Sequence, residues 1–438
     1  MLINRLRAII LILAFFSLSV NPPSILGVVS TNQPESFFNP TIQLMLDQVD
    51  QGKIYSLTGD LSGEWPVTIN EQPYTLNTRH ALSGEPNQKA AEYLYQYYQA
   101  LGLDTSYQNF TYQEQLLSNV VAQKTGTVFP ERVFMITSHF DDVPVTPPAP
   151  GADDDASGTV AVMLAASILN QYEFGCTLRF VNFNAEEYGM IGSQDYAQQA
   201  YCAGEDIRGV LNLDMIAWNT LDSAAEMDLH ALSSIPGSSE MADVFQEVVS
   251  AYGLQISSTA ADPIITRSDH FSFWRLDYPA ILVTEDLDDF NPNYHSADDR
   301  LDNIQDFDYY AEIIRASLGT LAHMGCLVED GWGSVNGIVT DQTTHLPVPG
   351  AAVSLTNPEW GYTFNTRTDQ NGAYQFSALQ GWHNLTADDF GYRVNRSEIY
   401  VTQIQSLTVN LELVPINETA MYLPLAGNGL PIPQPNCP

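Results

Sequence analysis

The chain has 438 residues, more than one ordinary core accommodates, and so predicts two domains with appendages. Lys and Arg number 16 against 52 Asp and Glu, a formal net charge of -36 that argues against a broad nucleic-acid or anionic-lipid face. The acid excess reads as a surface that keeps a secreted protein soluble, with part of it available to metal.

Residues 1–30 read as a secretory signal. Arg5 and Arg7 are followed by the apolar run from Ala8 to Val20, which Pro22 and Pro23 break short of the roughly 20 residues a membrane span needs. An uncleaved N-terminal anchor is the alternative; no other stretch is long enough to span a bilayer. The expected location is therefore secreted, extracellular or periplasmic. Four cysteines, Cys176, Cys202, Cys326 and Cys437, suit an oxidising compartment. Their connectivity does not follow from the sequence, and the favoured pair is Cys176 with Cys202.

Residues 32–80 mix short apolar pieces with Pro and Gly and are expected to cover the domain that follows. Apolar spacing predicts a helix over 87–101, closed by Gly102. Short strands are expected at 119–122 and 132–138. The second delivers His139-Phe140-Asp141, a spacing that lets the carboxylate fix the imidazole tautomer. Asp153, Asp154 and Asp155 precede a helix over 159–169. N-capping explains one such aspartate well and three poorly. The strand over 177–183 runs into Asn184-Ala185-Glu186-Glu187. Two adjacent glutamates are costly to bury without a cation, and adjacent residues leaving a strand point different ways. One carboxylate can then hold a metal while its neighbour faces a water. Alone, Glu-Glu reads equally as a solvated acidic turn. Further strands are expected at 209–215, ending near Asp214, and at 280–284, followed by a loop carrying His295 and a helix over 306–324.

Strands and helices alternate from about 119 to 324, which predicts an α/β fold: a mixed, mostly parallel sheet flanked by helices, with sites at strand C-terminal ends. His139, Asp154, Glu187, Asp214 and His295 all fall on that edge. Two imidazoles and three carboxylates suit zinc, in numbers sufficient for two ions if one carboxylate bridges. After a hinge at 331–334 the texture becomes all-β, with Asn371-Gly372 as a hairpin signal. Residues 416–438, rich in Pro and Gly, are expected to be a flexible tail.

Several stretches together resemble the zinc aminopeptidases of peptidase family M28. They are Ser138-His139-Phe140-Asp141, the segment from Pro150 to Gly158, Asn184 to Gly189 with Gly192-Ser193, Leu213-Asp214-Met215, Ser268-Asp269-His270 and Tyr294-His295. The resemblance implies His139, Asp154 and Asp214 around one zinc and Asp154, Glu187 and His295 around a second. It implies Glu186 as general base, Asp141 as the partner of His139, and a cis peptide after Asp154. Ile265 stands three residues before Ser-Asp-His, where some members carry a tyrosine, so the side chain that stabilises the oxyanion is left unassigned. Residues 335–415 resemble the carboxypeptidase regulatory-like, transthyretin-like β-sandwich, read as a stabilising module or one for surface or matrix contact. The expected domains are 32–330 and 335–415. The expected activity is a secreted di-zinc aminopeptidase acting on peptides with a free N terminus, probing an apolar pocket of Met215, Leu287, Phe290 and Tyr294; plain packing is the other reading of these four. The alternatives are a carboxypeptidase, a glutaminyl-cyclase-like acyltransferase, or an inactive extracellular binding protein.

Overall fold

The computed structural model describes residues 37–144, 147–221, 223–260, 265–328, 333–358, 362–378, 381–401 and 406–416. The expected signal at 1–30 and the expected tail beyond Ile416 lie outside them. Helix α1 (Pro40–Leu46) starts where Asn39 Oδ1 accepts from the amides of Thr41 and Ile42, and α2 (Gln51–Leu61) where Asp50 accepts from Lys53. Strands β1 (Val67–Ile69) and β2 (Gln72–Tyr74) form a small antiparallel ribbon. Residues 32–80 were expected to cover the domain. Instead Ile42, Met45, Leu46, Ile54 and Leu61 are all within its main core.

The remaining elements of this half are α3 (Glu85–Ala100), β3 (Asp104–Tyr112), β4 (Gln115–Lys124), β5 (Phe129–His139), α4 (Ala156–Leu169), β6 (Cys176–Phe183), α5 (Ile191–Ala203), β7 (Asp206–Leu213), β8 (Glu226–Ala231), α6 (Ser238–Ala251), β9 (Ser257–Ala260), α7 (His270–Trp274), β10 (Ala280–Glu285) and α8 (Phe307–Met324). Eight strands make one sheet in the order β3-β4-β6-β5-β7-β10-β8-β9. The central four, β6-β5-β7-β10, are parallel, so their C-terminal ends share one edge. Strands β3 and β4 are an antiparallel hairpin, which extends the short strand expected at 119–122 and adds a partner with no clear signature in sequence.

Alternation along β6 decides which side each residue serves. Cys176, Leu178 and Phe180 enter the core shared with α4 and α8, whereas Val181 and Phe183 pack with Tyr196, Ala197 and Ala200 of α5 on the other face. Helix α4 is apolar and buried almost all round, as a helix enclosed by neighbours must be.

The same alternation overturns the expected Cys176–Cys202 pair. Cys176 points away from the face that α5 covers, and it is bonded to Cys326, just after α8, with 5.4 Å between Cα atoms. Cys202 is also disulfide-bonded.

The C-terminal strands are β11 (Gly333–Asp341), β12 (Ala352–Asn357), β13 (Tyr362–Arg367), β14 (Ala373–Ala378), β15 (Gly381–Asp388), β16 (Tyr392–Arg393), β17 (Asn395–Val401), β18 (Ser406–Thr408) and β19 (Leu411–Pro415). They form a sandwich of two sheets, β14-β11-β19-β16 with β18 beside β11, and β13-β12-β15-β17. Val335, Val353, Leu355, Tyr374, Phe376, Leu385 and Leu413 are in its core. Asn371-Gly372 turns the chain with Gly372 at φ +71°, yet the strands on either side belong to different sheets. The turn therefore passes between the layers and closes no hairpin. The expected hinge at 331–334 lies partly outside the described residues, and its last two residues, Gly333 and Ser334, already pair with β14. Among the described residues, no helix is long and apolar enough to cross a membrane.

Candidate metal centre

Four neighbouring strand ends deliver the cluster. His139 is the last residue of β5, Glu187 lies in the turn after β6, Asp214 directly follows β7, and His295 is in the loop after β10. Asp154 comes from the loop between β5 and α4, and the Asp154–Asp155 peptide is cis. His139 Nε2 lies 3.3 Å from Asp154 Oδ1 and 3.5 Å from Asp214 Oδ1. His295 Nε2 lies 3.2 Å from Asp154 Oδ2 and 3.1 Å from Glu187 Oε2. One Asp154 carboxylate thus gives one oxygen to each of two triplets, His139-Asp154-Asp214 and Asp154-Glu187-His295, with no donor pair in either beyond 4.8 Å.

Each member of the aspartate triplet does something different. Asp155 caps α4, with Oδ1 accepting from the Gly158 amide at 2.8 Å, and its Oδ2 accepts from the His139 amide at 3.2 Å. Asp153 accepts from the Ala217 amide at 2.9 Å and from Asn291 Nδ2 at 2.8 Å. Asp154 alone is left facing the two histidines. Asp299, for which no role was expected, accepts the amides of Asp153 and Asp154, one on each oxygen, both at 3.0 Å. A second aspartate in Asp298-Asp299 was the only available signal for it.

Asp141 ties two ligand turns together. Its Oδ1 accepts from the Glu186 amide at 3.0 Å and its Oδ2 from the Glu187 amide at 3.3 Å. His139 Nδ1 lies 3.2 Å from the Asp141 carbonyl oxygen and 3.6 Å from Oδ1. A carbonyl only accepts, so Nδ1 carries the hydrogen and Nε2 presents its lone pair to Asp154 and Asp214.

The electrostatics call for a cation. Burial raises Glu187 to about 8, helped by the Asp154 charge. Burial would depress both histidines, yet the surrounding carboxylates pull His139 well up and His295 up to about 10. Burial would raise Asp154, but its contacts with the two imidazoles hold it below the usual carboxylate range. Burial pushes Glu186 well up, with His139 opposing and Asp269, Asp214 and Glu187 adding to the rise. In the absence of metal, positive charge in this cluster has to come from protons on the imidazoles. A divalent cation supplies it directly, and the donor set fits one. Histidine nitrogens and carboxylate oxygens 3.1–3.5 Å apart match the edge of about 3.3 Å for a tetrahedron with zinc-to-ligand distances near 2.05 Å. Glu187 Oε1 is buried without a hydrogen-bond partner, a costly state that coordination would relieve.

Of the four pocket candidates, two lie directly beside the cluster. The Tyr294 ring stacks on His295 with 3.6 Å between centroids, and Phe290 meets Tyr294 edge-on at 4.9 Å; both remain about 40% exposed. Met215 follows Asp214 and is buried. Leu287 sits on the single-turn helix Leu287–Asp289, its amide donating to Asp228 of β8. Ile265 has an aliphatic side chain with no donor, and its backbone carbonyl lies 3.1 Å from His270 Nε2. Asp269 is fully buried with neither oxygen hydrogen-bonded, and burial lifts it to about 7.

The family model for peptidase family M28 matches residues 119–316, a span containing all five cluster residues and Glu186. Over these residues the chain is similar to peptidase family M28. The carboxypeptidase regulatory-like domain matches residues 334–414. A probable zinc metalloprotease of Pyrenophora tritici-repentis is 29% identical over 248 residues, 47% of this chain and 51% of that protein. Leucine aminopeptidase 1 of Fusarium vanettenii is 29% identical over 228 residues, 49% of this chain and 55% of that protein. The chain thus spans about half the length of the curated relatives it matches. Among solved structures, the LapA aminopeptidase of Legionella pneumophila shares the fold of the M28 half, with a TM-score of 0.56 at 18% identity over 67% of this chain and 77% of that one.

Proposed function

We propose that this chain is a secreted aminopeptidase with two zinc ions per chain, releasing apolar N-terminal residues from peptides. The observation that carries the reading is the division of Asp154, one oxygen toward His139 and Asp214 and the other toward Glu187 and His295. It is supported by the match of residues 119–316 to the M28 family and by the names of the relatives, a zinc metalloprotease and a leucine aminopeptidase.

His139, Asp154 and Asp214 would hold one zinc, and Asp154, Glu187 and His295 the other. A zinc pair, when bound, polarises a carbonyl and makes water easier to deprotonate. Glu186 is the base. Its raised affinity for protons suits it to take one from the attacking water and return it to the leaving amine. Asp141 fixes its direction by gripping the amides of Glu186 and Glu187 together. Phe290 and Tyr294 present an aromatic wall beside His295, the support for an apolar first side chain. The alternatives of glutaminyl cyclisation and carboxy-terminal cleavage are not favoured, because both triplets are complete and the relatives' names point to amino-terminal cleavage.

The test is Glu186→Gln. The variant is expected to keep its zinc and lose activity on leucine anilide by about 10²- to 10⁴-fold, with N-acetyl-leucine anilide untouched by either protein. A metal-loaded Glu186→Gln protein with undiminished hydrolysis would remove Glu186 from the reaction.

A further inference from the structure

Arg79 is a fully buried arginine that no motif announces. Its Nε donates to the Phe140 carbonyl at 2.7 Å. Its Nη1 donates to the carbonyls of Leu61 at 2.6 Å and Pro150 at 2.8 Å, and its Nη2 to that of Gly151 at 2.9 Å. Asp142 supplies the counter-charge at 3.5 Å and also accepts the Arg79 amide at 2.7 Å.

The carbonyls so gathered are not arbitrary. Phe140 is the residue after His139, and Gly151 lies three before Asp154. One rigid fork therefore gathers both ends of the β5–α4 loop, beside His139 at one end and near Asp154 at the other, two residues whose side chains approach to 3.3 Å. Gly151 makes the approach possible: at φ +46° it sits so close that a Cβ there would come within 2.8 Å of Arg79 Nη2.

The flanking segment reaches the remaining loops. The Asn77 carbonyl accepts the Ala149 amide at 3.1 Å. Asn87 donates to the Arg79 carbonyl at 2.7 Å and exchanges two amide hydrogen bonds, 3.1 and 2.8 Å, with Asn184, which opens the Glu186-Glu187 turn. Glu64 pairs with Arg300, five residues past His295, at 3.3 Å. Burying a guanidinium is expensive unless every donor is matched, and a packed hydrophobic residue would usually fill such a space at lower cost. Arginine offers what an apolar side chain lacks: five donors in a fixed plane that set the distances between backbone loops.

We infer that Arg79 is a positioning residue for the metal centre, holding the His139 and Asp154 ends of the β5–α4 loop in register from within the segment spanning 61–87. The inference rests on the proposed metal centre and goes beyond it. It also gives this segment a part in the finished site, as a brace behind the ligands.

The test uses the full chain, with zinc alone as probe, titrated against a competing chelator after metal removal. Arg79→Lys keeps charge but cannot reach the carbonyls of Leu61, Phe140, Pro150 and Gly151 together; Arg79→Met keeps bulk without donors. Leu46→Ala, buried in the same N-terminal segment and remote from the ligand loops, controls for general loosening. We expect both Arg79 variants to fold, to bind at least one zinc about 10- to 100-fold more weakly, and to lose kcat with KM little changed. Leu46→Ala is expected to lower Tm and leave zinc affinity within about twofold. Arg79 variants with unchanged zinc affinity overturn the inference, as does equal weakening in Leu46→Ala, or failure of both Arg79 variants to fold. A wild-type chain that binds no zinc pair sinks the metal-centre reading itself, a result distinct from all of these.

Discussion

Asp141 shows how a single side chain can serve two ligand loops, since its two oxygens hold the amides at the Glu186-Glu187 turn while its carbonyl sets the His139 tautomer. In Asp141→Asn one oxygen is replaced by an amide that faces an N–H with another N–H. We expect about 10- to 100-fold weaker zinc binding or turnover; a variant indistinguishable from wild type in both would remove Asp141 from this role. Ala185, Met215 and His295 take left-handed backbone conformations, φ +58°, +54° and +56°, the first beside Glu186, the second beside Asp214 and the third within the cluster itself. Each costs on the order of 1 kcal/mol, so packing around these turns must hold them. Far from the site, His323 is stacked on Phe37 at 4.1 Å and bonded to the Tyr252 hydroxyl at 2.9 Å. Burial lowers it from 6.5 to about 4. As pH falls below 6.5 the unfolded chain takes up a proton that the folded one refuses, so stability declines until the folded pKa is reached, by at most roughly 3 kcal/mol. Replacing His323 by Gln should flatten the stability curve between about pH 6.5 and 4, and denaturant titrations with parallel pH slopes for the two proteins would refute this. Four of the cluster residues were readable because His139, Glu187, Asp214 and His295 lie at or beyond strand ends, and Asp154 because it precedes a helix. Asp299 and Arg79 were not, because their partners are backbone groups, which leave no mark in the sequence.

At the level of elements, strands and helices with their own periodicity were legible, such as α3, α4, β6 and α8. Elements defined by partners were not. The hairpin strand β3 alternates weakly and exposes much of its length, so only its pairing with β4 reveals it. Asn371-Gly372 fixes a turn but not which strands it joins, since turn chemistry is local and sheet membership is not. The disulfide teaches the same lesson, for closeness along the chain favoured Cys202 while the face of β6 chose Cys326. The bond closes a loop of 150 residues, and the chain-entropy estimate for such a loop is roughly 5 kcal/mol. The double replacement of Cys176 and Cys326 by Ser should therefore lower the urea midpoint markedly, and an unshifted midpoint would show that the crosslink constrains little.

Across the described residues, the two halves carry separate cores, and Phe364 of β13 meets Phe129 of β5 at 5.2 Å. All the residues of the metal cluster belong to the M28 half, and an N-terminal segment expected to lie over that half is built into it, supplying helices to its core and Arg79 to the loops behind the ligands. What the chain as a whole must do to work in this way is bind metal as a pair through one shared carboxylate. Metal content per chain, measured after zinc loading and removal of free ion, tests that directly on the wild type and on Asp154→Ala. We expect two zinc ions per wild-type chain and none retained tightly by the variant. A wild-type chain holding a single ion, or an Asp154→Ala chain that still holds two, would contradict the shared-carboxylate centre.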